Sequence, residues 1–380
     1  MSTLNQETLS ILEDSVDRFL RNEYTFDDRK RNLKENQGQS SDLWRTFADM
    51  GWLSIPFPEE HGGLGGDITD TLCVMRGFGR GLVTEPYLSA IIAARLLTLA
   101  EFNDERAELL GGILRGERQV VFANEEPGSR GNPLAVALKA EAEADGTGFR
   151  LSGDKVAVMH SLTSSYILVS ARSGGDYTDE SGLELFLVAM NAPGLEVTSR
   201  PMIDGHQGAK IAFSGVFVSK AQRLAETGDA GSLILQAHSE SLLMLAAEAV
   251  GIMEILVKKT VAYTCTRKQF GVALAEFQVL QHRMAEMYIE TTSIANLLTQ
   301  TAIHWANSDV SQQVILASKL KARLGPAARY VGQQAIQLHG GIGMTDELDI
   351  GHYFKRLVSI ELQQGNAEWH RKLLWRKMTA

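Results

Sequence analysis

Cysteine is nearly absent: Cys73 and Cys265 are the two in 380 residues. They can build no disulfide framework and no Cys-x-x-Cys metal site. This usage fits a reducing compartment, so the expected location is the cytoplasm. Long apolar runs are also missing. The richest, Ser241–Val257, is interrupted by Glu248 and Glu254, and nothing reaches the roughly 18 uncharged apolar residues that would span a bilayer. The first twenty residues have acids inside their apolar stretch and no basic start, unlike a secretory signal. Positive charge is not in excess, with 46 acidic against 37 basic residues and a net charge of −9. Such a chain is a poor non-specific binder of nucleic acid or anionic membranes, although a local basic patch can still hold a phosphorylated small molecule. The nine histidines are scattered and show no HExxH or other ligand spacing, so no metal site is expected. There is no GxSxG elbow, no phosphate loop and no GxGxxG after a strand, which argues against a nicotinamide-binding doubly wound fold.

What is present falls into three regions, each with its own periodicity, and predicts domains at 1–119, 120–225 and 226–380. The first is helical. Leu9, Leu12, Val16, Phe19 and Leu20 recur at spacings of three and four and line one helix face. A polar link over 32–39 precedes a helix near 42–50. Pro56 to Gly66 (PFPEEHGGLGG) cannot continue a helix and reads as an ordered loop. Further helices are expected over 69–79 and 87–100.

The middle region alternates apolar and polar residues in short segments: 120–123, 134–144, 149–158, 166–171, 184–190, 195–200 and 210–218. Asp145-Gly146 reads as a hairpin turn between two of them. Roughly seven strands without intervening helices suggest a small antiparallel barrel or sandwich. The last region returns to long helices. The run 239–266 is apolar nearly all round and should be buried. A second helix covers 277–305. A third is expected to open at Gly325-Pro326, and a fourth covers 352–363 before a short tail, which makes a four-helix bundle.

Two segments carry possible chemistry. In Thr266–Met287 (TRKQFGVALAEFQVLQHRMAEM), Arg267 and Lys268 end one helix and Phe270-Gly271 turns the chain. An arginine there offers a rigid fork of donors to a phosphate. The same pattern also fits an ordinary helix C-terminus with basic residues near its negative end. In Gln334–Met344 (QAIQLHGGIGM), the helix should stop at His339, with Gly340-Gly341 capping it in positive-φ backbone. Those glycines could let a ligand approach the main chain, or could simply end the helix.

Taken together and in order, these segments resemble the acyl-CoA dehydrogenase family over nearly the whole chain. PEEHGGLGG is similar to the family's PEEYGGLGG loop, and GDKVAVMH with YILVSAR resembles a family strand pair. Within the family, VGQQAIQLHGGIGMTDELDIGHYFKRL is most similar to small subunits of heteromeric enzymes, those of pimeloyl-CoA dehydrogenase in particular. The resemblance implies an α+β multidomain fold: an N-terminal all-α domain, a middle β-barrel and a C-terminal four-helix bundle. It also implies FAD held at a subunit interface, an acyl-CoA substrate, α,β-dehydrogenation with a glutamate base, and electron-transfer flavoprotein as acceptor.

Carried over residue by residue, Arg267 matches the arginine near the FAD pyrophosphate, and Gln269, Phe270 and Gln278 follow it in register. Gln337, Gly340 and Gly341 match the second cofactor-contacting turn. The flavin side departs from the pattern. Glu125 stands where a threonine would donate to the flavin, and Ala157-Val158-Met159 replaces a Trp-Ile-Thr strand motif. The base departs further: one usual position holds Gln364, the other Ser241. Glu240 is adjacent, but one residue turns a helix by about 100°, so it is expected to point elsewhere as a solvated or ion-paired surface glutamate. Three readings stay open. The chain is a small subunit completing the FAD site of a glutamate-bearing partner, a self-sufficient homo-oligomer using Glu240, or a non-enzymatic acyl-CoA-binding subunit.

Overall fold

The computed structural model describes residues 6–36, 38–100, 103–225 and 230–379. The expected three-and-four stripe winds into α1 (Gln6–Asn22), which buries Val16 and Phe19. It is followed by α2 (Phe26–Glu35), α3 (Ser41–Asp49), α4 (Ile68–Gly81), α5 (Tyr87–Leu99) and α6 (Asp104–Leu114). The polar link expected from residue 32 is therefore a correction, since α2 runs on to Glu35. Its sequence FDDRKRNLKE has no apolar stripe to announce it. Instead it buries Arg29, whose Nε donates to the Leu82 carbonyl at 2.9 Å.

The strands are β1 (Val120–Ala123), β2 (Lys139–Ala142), β3 (Gly148–Met159), β4 (Tyr166–Arg172), β5 (Leu183–Ala189), β6 (Leu195–Pro201) and β7 (Gln207–Ser219). They form one curled sheet in the order β1-β4-β2-β3-β7-β6, with β5 also on β4. Most pairs are antiparallel, but β4 runs parallel to both β1 and β2, which corrects the expectation of an antiparallel barrel: the chain between β1 and β2 crosses back to the end where β1 began. Ile167, Val169, Phe186, Val188 and Ile211 lie in its buried core.

The helical C-terminal part contains α7 (Ala230–Thr266), α8 (Gln278–Trp305), α9 (Val310–His339), α10 (Ile350–Leu362) and α11 (Ala367–Thr379), with a two-residue hairpin, β8 (Lys268–Gln269) and β9 (Val272–Ala273), between α7 and α8. Two expectations are corrected here. Pro326 lies inside α9 and does not open it; Asp309 caps the true start by accepting from Gln312 N–H. A proline leaves the carbonyl four residues earlier without its helical donor, and Arg371 Nη2 approaches that carbonyl, on Ala322, at 3.4 Å. The expected tail is the helix α11. Among the described residues no helix is long and apolar enough to cross a membrane.

Two compact units divide the chain. One comprises Met1–Lys30, Ile68–Val83 and Leu242–Ala380, the other Arg31–Asp67 and Thr84–Ser241. In the first, α4 and α7 cross backbone against backbone. A Cβ on Gly79 would sit 2.0 Å from the Glu248 carbonyl oxygen, and one on Gly251 would sit 1.9 Å from that of Arg76. Only glycine at both points permits this approach. The second unit is built around the sheet.

Candidate functional site

Helix α7 ends at Thr266, and the chain reverses through β8 and β9, where Lys268 pairs with Ala273 and Gln269 with Val272. Phe270 and Gly271 form the turn at φ 55° and 85°. Glycine adopts that conformation freely, whereas phenylalanine is strained in it. The Phe270 side chain is 91% exposed, with its ring edge-on to Phe277 at 6.2 Å. Arg267, Gln269 and Gln278 are exposed as well. The hairpin is pinned at its base by Leu274 N–H donating to the Arg267 carbonyl at 2.9 Å.

The second turn follows α9. Gly340 adopts φ 67° and donates its N–H to the carbonyls of Gln337 and Ile336. Of the two expected glycines, Gly340 alone takes a positive φ. Both are exposed, as is Gln337, and a Cβ built on either glycine would meet nothing within 4 Å. The two turns are joined at their roots, because the Tyr263 ring stacks on His339 with centroids 4.5 Å apart. An outward arginine, several amides and uncovered main chain thus share one end of the helical part, a donor set that suits a pyrophosphate and a purine.

The sheet side differs. The Glu126 carboxylate is buried and fully engaged, accepting from Ala137 N–H at 2.6 Å, Leu138 N–H at 3.1 Å and Lys155 Nζ at 2.7 Å. Lys155 also donates to Ser170 Oγ at 2.8 Å, and burial pulls its pKa down to about 8. Glu125 accepts from Ser129 Oγ at 2.7 Å, and burial raises its pKa. Ala157, at φ 50°, sits in the bulge where β3 slips register against β7 between Lys155 and Val158. An alanine held there stores about 1–2 kcal/mol of strain. Neither an outward donor at residue 125 nor an aromatic platform at residue 157 exists.

Neither Gln364 nor Ser241 carries an acid. Gln364 sits at φ 55° in the turn between α10 and α11. That turn is tightly tied: Lys321 Nζ donates to the Gln363 carbonyl at 2.9 Å and to that of Ile360, and His370 Nε2 donates to the Gln364 carbonyl at 3.1 Å. Ala367 N–H donates to Glu361 at 3.2 Å. Burial lowers the pKa of Lys321 to about 7 and that of His370 to about 3. Ser241 is buried on α7. Glu240 corrects the expectation of a surface carboxylate. It is 3% exposed and meets Arg95 Nε of α5 at 3.3 Å, a partner 145 positions away in sequence. Glu248 is buried in a two-pronged pair with Arg356, at 2.5 and 2.6 Å.

Family models describing the N-terminal, middle and C-terminal domains of acyl-CoA dehydrogenases match residues 6–117, 122–216 and 232–379. The chain belongs to the acyl-CoA dehydrogenase family, whose members are FAD flavoproteins. Acyl-CoA dehydrogenase FadE27 of Mycobacterium tuberculosis is 26% identical to it over 356 residues, covering 91% of this chain and 90% of that one. The Tcur3481-Tcur3483 steroid ACAD shares 25% identity over 98% of each chain, with a TM-score of 0.88. The ChsE4-ChsE5 complex from Mycobacterium tuberculosis shares 25% over 99% of this chain and 98% of that one, also at 0.88.

Proposed function

We infer that this chain is the base-lacking subunit of a heteromeric, FAD-dependent acyl-CoA dehydrogenase. In this reading Arg267, Gln269, Phe270, Gln278, Gln337, Gly340 and Gly341 hold the adenosine side of an FAD whose flavin lies on a glutamate-bearing partner subunit. Bound FAD supplies the hydride acceptor for α,β-dehydrogenation of an acyl-CoA thioester, and electron-transfer flavoprotein takes the electrons onward. This chain's own task is to grip phosphates and adenine and to complete the interface.

One observation carries the reading. Gln364 and Ser241 occupy the two base positions, and the nearest acids on α7 are buried in ion pairs, Glu240 with Arg95 and Glu248 with Arg356. A glutamine amide accepts no proton at neutral pH. Glu248 has both oxygens taken by the Arg356 guanidinium and Glu240 is paired with Arg95 Nε, and a carboxylate so paired is a poor base toward a substrate carbon. Two solved structures at 25% identity carry paired names, Tcur3481-Tcur3483 and ChsE4-ChsE5, which agrees with a two-subunit arrangement.

The test is co-expression with a glutamate-bearing partner of the same family. The expected result is turnover in the heteromer only, with about one FAD per pair of chains, half what one site per subunit would give. A purified homomer with one FAD per chain and turnover that Glu240→Gln abolishes would establish the self-sufficient reading. A colourless preparation that binds CoA esters and gains no flavin with any partner would establish the non-enzymatic one.

A further inference from the structure

The two cofactor-facing turns follow different helices, yet one aromatic pair ties their roots. Tyr263 stands one helical turn before Arg267, and its carbonyl accepts from Arg267 N–H at 2.9 Å. Its ring lies on the His339 imidazole at 4.5 Å between centroids, with 27° between the planes. Its hydroxyl donates to the His339 carbonyl at 3.4 Å. His339 immediately precedes Gly340 and is itself immobilised. Its Nδ1 lies 2.8 Å from the Ala335 carbonyl, an acceptor only, so Nδ1 carries the proton. Burial holds its pKa below the ordinary histidine value, against the opposing pull of that hydrogen bond. A neutral ring in one fixed orientation is a suitable stacking surface.

We propose that Tyr263, through its stack on His339, is a positioning residue for FAD: it sets the spacing between Arg267 and the bare main chain of Gly340 and Gly341. The inference rests on the reading that this chain holds the adenosine side of the cofactor. Each turn is closed by its own main-chain hydrogen bonds, and neither set reaches the other turn. Phe270 at the hairpin tip is almost wholly exposed, and Gly340 and Gly341 have open space where a side chain would be. A phosphate-bearing ligand that engages an arginine fork on one turn and peptide groups on the other needs their separation fixed to about half an ångström. The Tyr263–His339 stack joins the last turn of α7 to the last residue of α9, the point where such a brace acts on both.

The experiment is an FAD titration, read by flavin fluorescence, of the full chain with its partner subunit. It compares wild type, Tyr263→Leu, Tyr263→Phe, Arg267→Ala and the Tyr263→Leu/Arg267→Ala pair, with the thermal midpoint of each apoprotein as a control. Tyr263→Leu is expected to weaken FAD about tenfold or more at a nearly unchanged midpoint, while Tyr263→Phe, which keeps the stack, stays within about threefold. In the Arg267→Ala background the loss from Tyr263→Leu shrinks to less than about threefold, because the ring acts through the placement of that arginine. A merely structural role would give additive losses. Additive losses, or wild-type affinity in Tyr263→Leu, overturn the positioning role and leave the functional reading standing. A wild-type assembly that takes up no FAD removes both. Should Tyr263→Leu fail to fold, His339→Leu removes the same stack from the other side and is held to the same pattern.

Discussion

The turns around Arg267 and Gly340 contrast with the sheet loop around Glu125 and Glu126. In the turns, main-chain hydrogen bonds close the backbone on itself, and the guanidinium and amides are left facing outward. In the loop the order is reversed. Glu126 spends both oxygens on the peptide groups of Ala137 and Leu138 and on Lys155, and Glu125 is tied to Ser129. The turn between α10 and α11 behaves like the loop, with Lys321 and His370 holding the carbonyls of Gln363 and Gln364 and one oxygen of Glu361 accepting from Ala367 N–H. Where polar groups are satisfied by their own fold, they stabilise it. Where the fold satisfies only the backbone, the side chains remain available to a ligand.

The contrast can be broken most sharply at Lys155. Lys155→Met leaves the Glu126 carboxylate buried without its cation, and is expected to destabilise the protein by about 3–5 kcal/mol in urea unfolding. A loss under about 1 kcal/mol would mean that the loop is not organised by this pair. Arg267→Ala should do the opposite. We expect FAD affinity to fall by about 1.5–3 kcal/mol, the worth of a hydrogen bond to a charged group, with unfolding midpoints unmoved. A matching loss of stability would show that the arginine belongs to the fold and not to the ligand.

A smaller effect separates the Gln364 turn from the outward turns. Burial holds the folded-state pKa of His370 near 3, below the ordinary 6.5 it regains on unfolding. The unfolded chain therefore binds more protons between those values, and stability falls as pH drops from 6.5 toward 3, by up to about 1.4 kcal/mol per pH unit from this group. His370→Gln is expected to flatten that part of the profile. Identical wild-type and variant slopes would show that the imidazole is not neutral in the fold.

Much of the architecture was legible from periodicity. Val120–Ala123 was expected at its observed bounds, and the Asp145-Gly146 turn does join β2 to β3. Where the reading failed, a distant partner had intervened. The alternating run 134–144 yields strand only at Lys139–Ala142. The peptide groups before it bond the Glu126 carboxylate, and the carbonyls of Leu134 and Val136 accept from Arg172. At Pro326 the local rule placed a helix start where α9 continues unbroken. Among the candidate site residues, Arg267 and the paired glycines stood out in the sequence because a turn advertises itself in neighbouring residues; their contact with a cofactor is the proposal made above. Tyr263 was not, since a tyrosine inside an apolar helix looks like any core residue until His339 is seen beside it.

The sequence by itself determined which side chains exist: a glutamine at residue 364, a serine at residue 241, a glutamate at residue 125, and two turns rich in donors. Those identities fix what can and cannot take a proton, because that is a property of the functional group. Only the tertiary structure decided which polar groups are spent. The burial of Glu240 against Arg95 and the union of Tyr263 with His339 join residues 145 and 76 positions apart. No local pattern encodes such pairs, since they come into contact only when whole helices pack.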